Sequence, residues 1–95
     1  MYFQPTAINE RVTMLDLRHN AFPRAFAWRG RQYQVRRVEE CWTEFSEDET
    51  ARVERHGFRV RADEHVFELV QDARSLEWRV QRQFSPAITP NGEVI

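Results

Sequence analysis

Trp28-Arg29-Gly30-Arg31-Gln32-Tyr33-Gln34-Val35-Arg36-Arg37-Val38-Glu39-Glu40-Cys41-Trp42 is the stretch that decides the fold. It reads as the end of one strand, a two-residue turn and a long second strand. Gly30 supplies the positive φ that such a turn requires. With Arg29-Gly30 at the turn, Trp28 falls opposite Arg31 and Phe26 opposite Tyr33, an aromatic cross-strand pair. Tyr33 and Val35 are two apart, whereas Val38 is three beyond Val35. The period therefore slips at Arg36-Arg37, and a β-bulge there would bend the strand. Trp42, four after Val38, is expected back in phase with it.

Working outward, Val12–Leu17 reads as a first strand and Arg18–Pro23 as a loop stopped by Pro23. Residues 1–10 show no periodicity and are expected to form a flexible lead-in. Residues 46–50 form an acidic connector, and 51–56 lead through a bulge at Gly57 into the next strand. Downstream, Phe58–Arg61 pairs with Val66–Leu69 across Ala62–His65, and that strand pairs with Leu76–Val80 across Asp72–Ser75. Two apolar rows result, Phe58–Leu69–Trp78 and Val60–Phe67–Val80. The other face carries Arg59–Glu68–Arg79, alternating in sign as adjacent strands should. Residues 85–95, with Pro86, Pro90 and Gly92, are expected to form a flexible tail. The fold class is all-β: one domain over residues 11–84, a small antiparallel meander of about five strands curled into a half-open barrel with flexible termini.

The chain has 95 residues, room for one core, and 13% of them are aromatic. Its formal net charge is −1, from 14 basic and 15 acidic residues, which excludes a strongly basic nucleic-acid binder. All 14 basic residues are Arg. Coding bias accounts for that, as does selection for planar, bidentate contacts to phosphate or carboxylate. The single Cys41 excludes an internal disulfide and points to a reducing compartment. With no signal segment and no apolar run of membrane length, the expected location is the cytoplasm, with no membrane partner.

Patterns that would dictate a reaction are missing. His19, His56, His65 and Cys41 show no metal-ligand spacing, and no Gly-rich phosphate loop is present. Cys41 sits beside two carboxylates rather than a base. Adjacent acids such as Glu39-Glu40 and Asp63-Glu64 point to opposite faces of a strand and do not converge. The expectation is a non-enzymatic module with no catalytic residue, cofactor or metal. A binding surface is the remaining candidate. Arg29 and Arg31 flank the hairpin turn, Arg36 and Arg37 lie at the bulge, and Arg59 and Arg79 share the outer sheet face. Arginines and aromatics on a curved sheet suit single-stranded nucleic acid. Solvated cross-strand ion pairs are the competing account of the same residues.

The chain resembles a bacterial family of unknown function. Its members occur as short standalone proteins and, as related domains, at the C-terminal end of ImuB-like Y-family DNA polymerases. The pattern is Trp-x-Gly-Arg-x-Tyr-x-Val, a further Val and a Trp, here Trp28, Gly30, Arg31, Tyr33, Val35, Val38 and Trp42, after Pro23 and Phe26. Phe58 and Val60, Glu68-Leu69, Asp72 and Trp78 follow in looser correspondence. The resemblance covers roughly residues 20 to 84. Phe45 stands near where a second Trp is expected, and the Gly of the last turn is absent. The resemblance implies an accessory or interaction domain linked to DNA repair by translesion synthesis, with a Y-family DNA polymerase complex or single-stranded nucleic acid as partner. The alternative is a protein–protein interaction module unrelated to nucleic acid, using a sheet edge or an aromatic patch.

Overall fold

A computed structural model of the chain describes residues 3–47 and 51–86. Their regular structure is entirely strand: β1 (Phe3–Arg18), β2 (Phe22–Trp28), β3 (Arg31–Glu47), β4 (Arg52–Ala62), β5 (His65–Asp72) and β6 (Trp78–Pro86). No helix among the described residues is long and apolar enough to cross a membrane. Each strand pairs antiparallel with the next, and β6 returns to β1, so the expected all-β meander has six strands joined in a ring. Closure removes the open edges that a half-open sheet would expose.

The β2–β3 hairpin forms in the expected register, with Phe26 opposite Tyr33 and Trp28 opposite Arg31. Arg29 (φ 52°) and Gly30 (φ 75°) both adopt positive φ, as a type I′ turn demands. The Phe26 and Tyr33 rings stack at 5.1 Å. Phe67 of β5 meets Phe26, Trp28 and Tyr33 edge-on, at 5.4, 5.8 and 5.0 Å. This cluster fills one end of an interior that also holds Val12, Phe58, Val60, Leu69, Trp78 and Val80.

The slip in β3 is a bulge at Arg36, between the pairs Val35–Ala62 and Arg37–Arg61. A second bulge, at Glu39, has no counterpart in the apolar spacing. It reverses the phase of everything after it, so Cys41 lies opposite inward-facing Phe58 while Trp42 lies opposite Gly57 on the outer face. Trp42 is therefore not in phase with Val38. Gly57 is no bulge either: it pairs regularly with Trp42 and Val70. Its missing side chain makes room for the Trp42 indole, into which a Cβ would project.

The β4–β5 register holds as expected, with Phe58 opposite Leu69 and Val60 opposite Phe67. Over Leu69–Gln71 the β5–β6 register differs by two residues: Leu69 pairs with Val80 and Gln71 with Trp78. A shift of two keeps Trp78, Arg79 and Val80 on their expected faces, so the apolar pattern cannot detect it. Beyond them a bulge at Gln81 makes the shift three, pairing Glu68 with Arg82 and Phe67 with Gln83. The turn decides. Asp72 accepts from the backbone N–H groups of Arg74 and Ser75 (2.8 and 2.9 Å), and Leu76 closes the loop at φ 64° with its N–H on the Asp72 carbonyl (2.8 Å). Leu76 and Glu77 thereby belong to the connection, and with the bulge at Gln81 the outer charged row becomes Arg59–Glu68–Arg82, displacing Arg79.

Residues 3–10, expected as a loose lead-in, are the first half of β1 and pair with β6, for example Thr6 with Gln83 and Glu10 with Val80. Main-chain pairing holds this segment, which is why side-chain periodicity does not reveal it. Pro23, expected to end a loop, lies fully buried within β2 opposite Leu17. Its missing N–H breaks no bond to β3, because the β2–β3 ladder stops at Ala25–Gln34. Ser46 and Glu47 end β3, and Ser85 and Pro86 end β6. The rest of the acidic connector and of the expected tail, residues 48–50 and 87–95, lie outside the described residues.

Replacing Gly57 with Ala should destabilise the protein by about 1–3 kcal/mol through overpacking, measured by urea unfolding. In a Trp42→Ala background most of that cost should vanish, giving a large coupling in the double-mutant cycle. The bonds from Ser75 and Arg74 hold the Asp72 carboxyl below its ordinary pKa of 3.8. Its stabilising effect is therefore complete above that value and is lost as pH falls through the depressed folded-state pKa. Asp72→Asn should be less stable than the wild type at pH 7, and the difference should shrink progressively in unfolding curves taken below pH 3.8.

Candidate functional site

Four of the six arginines expected to bind are engaged by the protein itself. Arg29 at the β2–β3 turn grips Glu10 with two hydrogen bonds, Nε to Oε1 at 2.9 Å and Nη2 to Oε2 at 2.6 Å, while Trp28 Nε1 donates to the same carboxylate at 2.9 Å. These bonds, Arg29 first and Trp28 second, hold the Glu10 carboxyl below its usual range. The Arg29 guanidinium also lies over the Trp28 ring at 4.4 Å. Across the same end of the ring Arg31 reaches Asp63 at 2.8 Å.

Arg59 donates to Glu68 (Nη2 at 2.8 Å) and contacts Glu40 (3.1 Å), and its pKa is raised, mainly by the bond to Glu68. Glu68 receives a second guanidinium from Arg82 at 3.1 Å. At 3% exposure this carboxylate is tolerated because both of its oxygens are bonded to cations. Arg79 donates to the Asn9 carbonyl (3.3 Å) and lies 3.6 Å from Glu77. These arginines tie strand to strand, and their charge is matched locally.

Arg36 and Arg37 differ. From Val35 onward β3 pairs with β4 and no longer with β2. Phe22–Arg24 and Val35–Val38 separate there, and the wall of the ring opens into a cleft of about 380 Å³. Its floor is Phe22, Pro23, Val35 and Val38, and its rim is Arg18, Arg24, Arg36 and Arg37. Arg24 lies 3.6 Å from Asp16, both side chains being more than half exposed. Among the described residues, Arg18, Arg36 and Arg37 make no ion pair with any acid. Exposed guanidinium groups there present planar, bidentate donors, the geometry that phosphate and carboxylate oxygens accept.

Of the four arginines that line this cleft, the sequence reading named Arg36 and Arg37 as candidates and did not name Arg18 or Arg24. The local signal for the latter pair was slight: two arginines flanking a turn. What brings them to the bulge is the parting of β2 and β3, a tertiary event.

A second hollow, of about 460 Å³, adjoins the cleft and shares Phe22 as a common wall. Phe58, Cys41 and Trp42 contribute further sides, with Asn20, His56 and Gln71 as polar groups. His56 bridges Thr43 (Nδ1 to Oγ1, 3.4 Å) and Glu54 (Nε2 to Oε2, 3.3 Å). Phe22 meets Phe58 edge-on at 5.9 Å. No group of three or more His, Cys, Asp or Glu side chains suited to a metal occurs among the described residues.

Neither the curated proteins nor the solved structures contain a match to this chain. A family match does exist, and it runs over residues 4–85, taking in the ring closure, the bulged β3 and the arginine cleft alike. On that coverage, the chain belongs to the family described as a domain of unknown function, DUF6504.

Proposed function

We propose that this chain is a non-catalytic β module of the bacterial cytoplasm that binds single-stranded nucleic acid through the arginine cleft between β2 and β3. The observation that carries the reading is that Arg18, Arg36 and Arg37, which make no ion pair among the described residues, gather around one cleft, whereas Arg29, Arg31, Arg59 and Arg61 are matched by acids. A net charge of −1 gives no long-range pull, so attraction to a polyanion must be local. A phosphate at the cleft displaces no carboxylate from Arg18, Arg36 or Arg37. At Arg29, Arg31, Arg59 or Arg79 it would have to compete with an existing partner.

The link to DNA repair rests on the resemblance to domains at the C-terminal end of ImuB-like Y-family polymerases. In that setting the module acts as an accessory of translesion synthesis, holding template near the polymerase complex. A second reading, a protein-interaction module, is favoured by one observation. The ring opens where Phe22–Arg24 and Val35–Val38 lack each other as strand partners, and an acidic peptide could add there as a strand.

Fluorescence anisotropy with single-stranded DNA at low salt tests the first reading. Arg36→Ala with Arg37→Ala should weaken binding at least tenfold. It should also flatten the log K against log salt slope by roughly 0.7 for each phosphate that the variant no longer neutralises. Arg31→Ala and Arg79→Ala should change affinity less than twofold. Absence of binding, or equal weakening in all variants, would overturn it in favour of the peptide.

A further inference from the structure

We infer that the hollow beside the arginine cleft receives a nucleobase of the bound strand, stacked against Phe22 with its polar edge toward Asn20 and Gln71. The inference rests on the proposed binding of a strand in the cleft and adds the second half of a nucleotide site. The two cavities are neighbours because Phe22 lines both. Phosphate and base are linked in the same way in a nucleotide, so a strand whose phosphate meets Arg18, Arg36 and Arg37 has a base within reach of the hollow.

The chemistry of the walls fits a base better than an aliphatic side chain. Phe22 is half-buried, held edge-on by Phe58, which itself leans on Trp78 at 5.6 Å. That bracing leaves Phe22 an immobilised aromatic wall, and stacking on aromatic side chains is how single strands are held without sequence preference. Around it stand groups able to donate and accept. Gln71 Nε2 donates to the Leu76 carbonyl at 3.3 Å, which leaves its side-chain oxygen as an acceptor. The Asn20 amide adds a further donor and acceptor, while both ring nitrogens of His56 are held by Thr43 and Glu54. An aliphatic occupant would desolvate the Asn20 and Gln71 amides without bonding to them. A base offers matching groups on its edge.

Cys41 provides the probe. It is the chain's only thiol, it is exposed, and it lines the hollow. The full chain would be titrated with an oligothymidylate of about eight nucleotides, within the usual site size for a small β module, and with an abasic strand of the same length. The rate of Cys41 alkylation by iodoacetamide would be followed in each complex. The thymidylate strand should bind roughly tenfold tighter than the abasic one, the gain expected from one stacked base. It should also slow alkylation severalfold, while the abasic strand should not. Prior capping of Cys41 with N-ethylmaleimide should abolish the difference in affinity and leave abasic binding intact, and Phe22→Ala should do the same. Equal affinity for the two strands, or alkylation unaffected by bound thymidylate, would overturn the base site and leave the phosphate cleft standing. Failure of both strands to bind would overturn both.

Discussion

Strand β3 changes neighbours partway along its length, and both the architecture and the candidate site depend on that change. Arg31–Gln34 pairs with β2, and Val35–Glu47 pairs with β4. The bulge at Arg36 sits at the handover, where an extra residue bends the strand and increases its twist. β1 behaves in a similar way, pairing with β6 up to Val12 and with β2 from Thr13. Two long strands that each serve two partners allow six strands to close into a ring, with β2 bridging them as a seven-residue piece. The cleft opens where β2 has run past its last pair with β3, at the bend that closure requires. The phosphate site proposed for this chain is in that sense a by-product of how the sheet closes.

The distribution of charge follows from the same geometry. Antiparallel ladders set the outer side chains of neighbouring strands opposite one another, and the chain alternates sign across them, as in Glu40–Arg59–Glu68–Arg82. Exposed pairs such as Arg31–Asp63 are worth some tenths of a kcal/mol each and do more to pin register than to stabilise the fold. Buried Glu68 is different, because removing either guanidinium would leave a carboxylate oxygen there without its cation. At the opening β2 supplies no acid, Arg37 has Arg61 opposite it on β4, and Arg18, Arg36 and Arg37 stand around an apolar floor.

Much of the fold was legible beforehand because several local signals agreed: the Arg29-Gly30 turn, the Phe26–Tyr33 pair, the slip at Arg36 and the Phe58–Leu69 register all appear in the structure. The errors are equally informative. The β5–β6 shift of two residues is invisible to an alternating pattern and was decided by hydrogen bonds to Asp72. The bulge at Glu39 lies among polar residues, so no apolar spacing marked it, yet it sends Trp42 to the outer face over Gly57. The first half of β1 is recognised by β6 through its backbone. Of the candidate site, Arg36 and Arg37 were found through the bulge, while Arg29, Arg31, Arg59 and Arg79 proved to be held by Glu10, Asp63, Glu68 and Glu77.

By itself the sequence determined that this chain is an antiparallel all-β domain, where its tightest turn lies, and which apolar residues share the interior. Those properties follow from period-2 alternation, positive φ at a Gly turn and aromatic content, all of them local. Tertiary structure alone decided that the ring closes, where β2 and β3 part, which arginines find acids and which do not, and that Phe22 stands between an arginine cleft and an aromatic hollow. These depend on contacts between residues far apart in the chain. A guanidinium is the same group at Arg31 as at Arg37; only the fold puts a carboxylate beside the first and leaves the second facing an open cleft.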